Sequence, residues 1–136
     1  MYKLLIQVPL LLISFSIFPV EKSELRISGV WVYTDKGDDF IDEKTCEFLS
    51  SGDLRCTISE FGFSDRYGDG HVYKTIGSWS LKGKSLTLVE SPTYSPETTY
   101  RNHYKIIELT NTKLVLLKHG GAKEKWYQTK AQLTKE

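Results

Sequence analysis

Cysteine, methionine and proline are scarce in this 136-residue chain, which holds two, one and four of them. Two cysteines exclude a disulfide-dense scaffold and a zinc site of four thiolates, and the lack of a Cys-x-x-Cys spacing removes the dithiol redox motif. Charge of one sign is missing too, with 18 Lys and Arg against 17 Asp and Glu. Nucleic-acid binding needs a concentrated basic surplus to meet phosphates, so no nucleic-acid partner is expected. The sequence has no Gly-x-Ser-x-Gly elbow, no His-Glu-x-x-His, no glycine-rich phosphate loop and no carboxylate pair that spacing alone brings together. It therefore predicts a protein that is not an enzyme, with no catalytic residues and no cofactor. His71, His103 and His119 fall on different segments, and residues 64–70 (SDRYGDG) lack the alternating oxygens and closing Glu of a calcium loop. No metal site is expected, and 64–70 reads as a turn.

What is present begins with an apolar N-terminus. Lys3 is the only charge in residues 1–20, and residues 4–20 are apolar apart from Gln7, Ser14 and Ser16, with Pro9 and Pro19 interrupting. That is short for a membrane span, which takes roughly 20 residues. The segment reads as a signal peptide, with Ser14 and Ser16 at the small-residue positions before a cleavage point, or as an uncleaved N-terminal anchor. The absence of cysteine at the junction excludes a lipid anchor. Residues 1–20 are expected as signal peptide or anchor, 21–27 as linker, 28–130 as the folded domain and 131–136 as a C-terminal tail. The expected location is periplasmic or secreted, with membrane contact only through an uncleaved N-terminal segment.

From Ser28 onward the chain is a train of short runs rich in Val, Ile, Thr and aromatics, broken by Gly, Asn, Asp and Ser. The runs are 30–34, 44–49, 53–60, 72–81, 85–90, 99–109, 113–119 and 123–129, and no helical stripe of useful length interrupts them. Short turns joining eight runs predict an all-β domain, a single antiparallel up-and-down β-barrel of about eight strands. Ser50-Ser51-Gly52 fits a three-residue hairpin loop with Gly52 in the left-handed conformation. Lys82-Gly83-Lys84, Thr110-Asn111-Thr112 and Gly120-Gly121 place residues that tolerate that conformation at other reversals. Residues 63–70 and 91–96 are longer and read as loops at a barrel mouth. The acidic stretch 35–43 reads as a solvated loop or a recognition patch.

Period-two alternation assigns the faces. Tyr73, Thr75, Gly77, Trp79 and Leu81 share one side of their run, as do Cys46 with Phe48 and Leu54 with Cys56 and Ile58. The pairs Ile106 with Ile107, Val115 with Leu116 and Leu88 with Val89 put apolar groups on both faces, as strands covered twice or facing a partner would. If the hairpin turns at Ser50 to Gly52, Phe48 opposes Leu54 and Cys46 falls opposite Cys56. Directly opposed strand residues lie close enough for a disulfide, which an exported chain would form. Two buried thiols left reduced are the alternative.

Gly29-Val30-Trp31 at the first strand resembles the Gly-x-Trp signature that opens lipocalin barrels. The stretches 76–88, 104–110 and 113–116, together with Cys46-Glu47-Phe48, resemble small exported bacterial lipocalin-like domains over about residues 27–129. The resemblance implies a calycin-type barrel and leaves the ligand unnamed. The chain departs from it in lacking the Arg that packs on the first-strand Trp, for which Lys118 and Lys125 are the candidates. Trp31 suits a plug at the closed end, with Trp79 and Trp126 in the same layer and core packing as the simpler role for all three.

Two functions follow as expectations. In the first, Trp31, Tyr33, Phe48, Tyr73, Trp79 and Tyr104 face a lumen that holds a small lipophilic or aromatic ligand, with residues 63–70 and 91–96 as its lip. In the second, the same aromatics fill the barrel, and an exposed loop or sheet face binds a protein partner, as an inhibitor or immunity protein would. A hollow or a filled lumen separates the two.

Overall fold

The computed structural model describes residues 26–62 and 70–130. The signal or anchor segment, most of the linker, the tail, and the loop at 63–69 with its Asp65 and Asp69 lie outside the described residues. Among the described residues the elements are β1 (Gly29–Lys36), β2 (Phe40–Phe48), β3 (Asp53–Gly62), β4 (His71–Lys82), β5 (Ser85–Pro92), β6 (Tyr100–Leu109), β7 (Lys113–Lys118) and β8 (Lys123–Thr129). Each strand pairs antiparallel with the next, and β1 pairs with β8 from Val30↔Thr129 to Tyr33↔Trp126, which closes the barrel. The expected all-β, eight-stranded, up-and-down antiparallel barrel is the fold observed. Closure removes the free sheet edge along Val30 to Tyr33.

The turns show how local sequence sets the register. The Leu49 N–H donates to the Asp53 carbonyl at 3.0 Å and the Gly52 N–H to that of Leu49 at 2.9 Å, with Gly52 at φ +92°. This is the expected three-residue loop, and it puts Cys46 opposite Cys56. Between β4 and β5 the reversal is tighter, because Lys82 pairs with Ser85 and only Gly83, at φ +60°, takes the left-handed conformation. At 110–112 the outcome differs from expectation, since among the described residues none other than glycine has positive φ and Asn111 is not left-handed. Thr110 makes this turn instead, its Oγ1 accepting from the N–H groups of Lys113 at 3.0 Å and Thr112 at 3.3 Å.

The acidic stretch 35–43 is a second difference. It is a hairpin and not a solvated loop, with β1 running through Lys36, β2 starting at Phe40 and Asp35 opposite Asp42. Phe40 shares the face of Asp42 and Lys44, and Ile41 shares the opposite face with Glu43. The paired apolar residues Ile106 and Ile107 also have a local cause. The register with β7 shifts between Ile106 and Glu108, so Ile107 is the extra residue of a bulge and turns outward beside an inward Ile106.

Inside, the barrel is filled at one end and open at the other. The core of Trp31, Phe48, Leu54, Trp79, Leu81, Leu86, Leu88, Leu114, Leu116 and Trp126 fills the end carrying the β2–β3, β4–β5 and β6–β7 turns. Phe48 meets Trp79 and Trp126 edge to face at 5.7 and 6.5 Å, geometries that favour aromatic pairs beyond their buried area. Ile27, just before β1, is fully buried in the same cluster, and the Trp31 indole N–H donates to its carbonyl at 2.7 Å. That bond satisfies the plugging indole, and Lys118 and Lys125 both lie exposed.

Candidate functional site

The open end holds a cavity of about 340 Å³. Its walls follow from the alternation that fills the closed end, continued two residues at a time toward the mouth. Beyond Trp31 come Tyr33 and Asp35 on β1, beyond Cys46 come Lys44 and Asp42 on β2, and beyond Cys56 come Ile58 and Glu60 on β3. Thr75 and Tyr73 precede Gly77 on β4, Glu90 and Pro92 follow Leu88 on β5, and Asn102 and Tyr100 precede Tyr104 on β6. Tyr94, 66% exposed in the β5–β6 loop, completes the rim. Its ring meets that of Tyr73 edge to face at 5.7 Å.

Of the residues expected at a lumen, Tyr33 and Tyr73 line this cavity, while Trp31, Phe48, Trp79 and Tyr104 are buried in the packed core. The position along the strand decides. Trp31, Phe48 and Trp79 lie toward the closed end, where facing side chains meet across the barrel axis. The Trp79 indole N–H donates to the Leu49 carbonyl at 2.8 Å, tying that ring to the β2–β3 turn. Tyr33 sits at the boundary, stacked on Trp126 at 5.4 Å with 25° between the ring planes.

The Cys46–Cys56 disulfide is formed, with the Cα atoms 4.1 Å apart and both residues buried between core and cavity. A buried disulfide of this kind belongs to an oxidising environment. Glu90 lies next to it, and Cys46, Cys56 and Glu90 are the only cluster among the described residues with three metal-ligating atoms close together. The disulfide occupies both sulfurs. His71, His103 and His119 stand apart from such clusters: the His71 Nδ1 lies 3.8 Å from Glu60 and the His103 Nδ1 3.1 Å from the Thr87 hydroxyl.

Charge in the cavity is lopsided. Asp35, Asp42, Glu60 and Glu90 face a single lysine, Lys44, and that lysine is committed. Its Nζ lies 2.7 Å from Glu90 Oε2, and the Thr75 hydroxyl donates to Glu90 Oε1 at 2.7 Å. Farther out, Asp42 is raised from its ordinary value by burial and by the charges of Glu60 and Asp35. Tyr73 is pushed up to about 12 by burial and by Glu60, to which its hydroxyl donates at 3.4 Å. Tyr33 is raised by burial and by Glu124, Asp35 and Asp42. Glu124, two residues from Trp126 toward the open end of β8, is 8% exposed, accepts from the Trp126 indole N–H at 3.2 Å and is raised chiefly by burial. The cavity therefore offers neutral tyrosines and several carboxylates, with its one cation already paired.

Asp42, Lys44, Thr75 and Glu90 were not singled out as site residues from sequence. A signal for some of them existed, since Thr75 shares the face of Tyr73 and Trp79, and Lys44 and Asp42 lie two and four residues from Cys46 on its face. What hid Asp42, Lys44 and Glu90 was chemistry, because charged residues in short strands normally read as the solvent face.

The architecture defines the class: a closed, eight-stranded, up-and-down antiparallel barrel with a cavity at one end, consistent with a calycin-like barrel. No protein-family model matches the chain, and no curated protein matches it.

Proposed function

We propose that this chain is an exported, non-catalytic binding protein, lipocalin-like in design, that holds a small molecule in the open half of its barrel. The observation that carries this is the division of the interior: a packed floor under a cavity of about 340 Å³, within the range of small-molecule sites. The disulfide supports a location in the periplasm or outside the cell. The convergence of Lys44, Thr75 and Glu90 is a closed hydrogen-bonded set that braces the cavity floor, which favours binding over chemistry. The alternative, an inhibitor-like protein-binding role, was tied to a filled barrel, and the open upper half favours the small-molecule reading over it.

Native mass spectrometry of the protein purified from its own envelope or culture medium tests the proposal. The expected result is an added small mass that leaves on denaturation and is missing from an Ile58→Trp variant, whose ring would occupy the cavity. A bare chain accompanied by a stoichiometric protein partner, and unaffected by Ile58→Trp, would overturn it.

A further inference from the structure

We propose that the molecule taken by this cavity is an organic ammonium ion, a compact amine carrying a small aromatic or alkyl group, seated between the rings of Tyr33 and Tyr73 and the carboxylates of Asp42 and Glu60. The inference rests on the cavity being a ligand site and concerns what that site selects.

Three observations lead to it. The first is the charge account. The cavity has four inward carboxylates, Asp35, Asp42, Glu60 and Glu90, and one lysine, and the lysine is held by Glu90 at 2.7 Å. Among the described residues no lysine or arginine pairs with Asp42 or Glu60, and the ionic neighbour of Glu60 is the His71 ring at 3.8 Å; crowding by Glu60 and Asp35 helps to raise Asp42. A carboxylate ligand such as a fatty acid would add like charge to a partly desolvated site, whereas a cation relieves repulsion already present.

The second is the kind of surface between those charges. Tyr33, Tyr73, Tyr94 and Tyr100 contribute rings to the same cavity, and aromatic faces attract ammonium groups through their quadrupoles. Burial and nearby carboxylates hold Tyr33 and Tyr73 in the neutral phenol form, so the rings act as faces and hydroxyl dipoles. The Tyr73 hydroxyl already donates to Glu60, fixing ring and carboxylate as one wall. The third is size. A volume of about 340 Å³ is at the small end of ligand sites, and the Trp and Leu floor stops a long chain from passing deeper.

The test uses three probes of nearly equal size on the full chain at neutral pH: 2-phenylethylamine, which is protonated there, the neutral 2-phenylethanol and the anionic 3-phenylpropionate. Titration calorimetry gives affinities, and amide chemical shifts locate the site. The expected result is that the amine binds about tenfold tighter than the alcohol, that the carboxylate binds weakest, and that added salt weakens the amine alone. Asp42→Asn with Glu60→Gln should bring amine and alcohol to equal affinity. If the alcohol or the carboxylate matches or exceeds the amine while shifting Tyr33 and Tyr73, the cavity is a ligand site and the ammonium assignment is overturned. If the double variant keeps the full preference for the amine, the seat assigned here is overturned. If none of the probes shifts cavity residues at millimolar concentration, the ligand-site reading falls with it.

Discussion

Glu90 is 3% exposed and still sits among groups that suit its charge, because Lys44 and Thr75 each meet one of its oxygens. Removing one partner of such a set leaves a buried charge uncompensated, which costs more than the set itself contributes. Lys44→Met should therefore destabilise the fold by about 3 kcal/mol, and Lys44→Met with Glu90→Leu should restore most of that loss, both read from urea unfolding. Glu124 is a different case, since burial raises its carboxyl despite the Trp126 N–H and the opposing charges of Lys118 and Lys44. A group whose folded value is raised binds its proton more tightly in the native state. Its stabilising effect is complete below the ordinary value of 4.5 and is lost as pH rises through the raised one. Asp42 acts in the same direction. Thermal unfolding followed upward from pH 4 should show stability falling across that window, and Glu124→Gln should flatten the fall. Neither carboxylate was legible in the sequence as a buried group. The alternation points both inward, but only the three-dimensional ring of strands shows which inward positions lie above the packed layer.

The β2–β3 hairpin was the most legible element, because Ser50 to Gly52 prescribes a turn and the turn prescribes every cross-strand partner down to Cys46 and Cys56. The disulfide closes a short loop, so reduction should lower stability by about 3 kcal/mol or less while the barrel persists. Its sulfurs are buried, so thiol labelling after addition of reductant should proceed only as fast as the hairpin opens; rapid labelling under native conditions would contradict this placement. Glycines separate two kinds of constraint. At Gly52 an added Cβ would meet nothing closer than the Trp79 carbonyl at 3.7 Å, so Gly52→Ala should cost only the left-handed backbone, about 1–2 kcal/mol. At Gly77 the same methyl would strike the Val89 backbone across the β4–β5 ladder. Gly77→Ala should be the more damaging by denaturant midpoint. An isolated glycine inside a strand signals such an approach, but the sequence alone does not say which neighbour comes near. The β6 bulge was hidden for a similar reason: two adjacent isoleucines read as two covered faces, when one of them is an inserted residue.

At the scale of the molecule, eight strands and their order were legible because turn chemistry recurs at regular spacing. The half-filled interior was not. Strand patterns locate inward side chains but give no depth along the axis, and depth decides whether a ring touches its counterpart or borders an opening. Closure of the barrel by its first and last strands also sets an order of events in time. Val30 finds Thr129 across about a hundred residues of chain, and at roughly 5–20 residues per second of synthesis that interval lasts on the order of 5–20 s. Throughout it, one side of β1, Trp31 included, has no strand beside it and is open to pairing with another chain. The β2–β3 hairpin needs no such wait, as its cysteines are separated by only 10 positions. The youngest chains would therefore carry a finished hairpin beside an unguarded first strand, and assistance during folding would be most needed at Val30 to Tyr33.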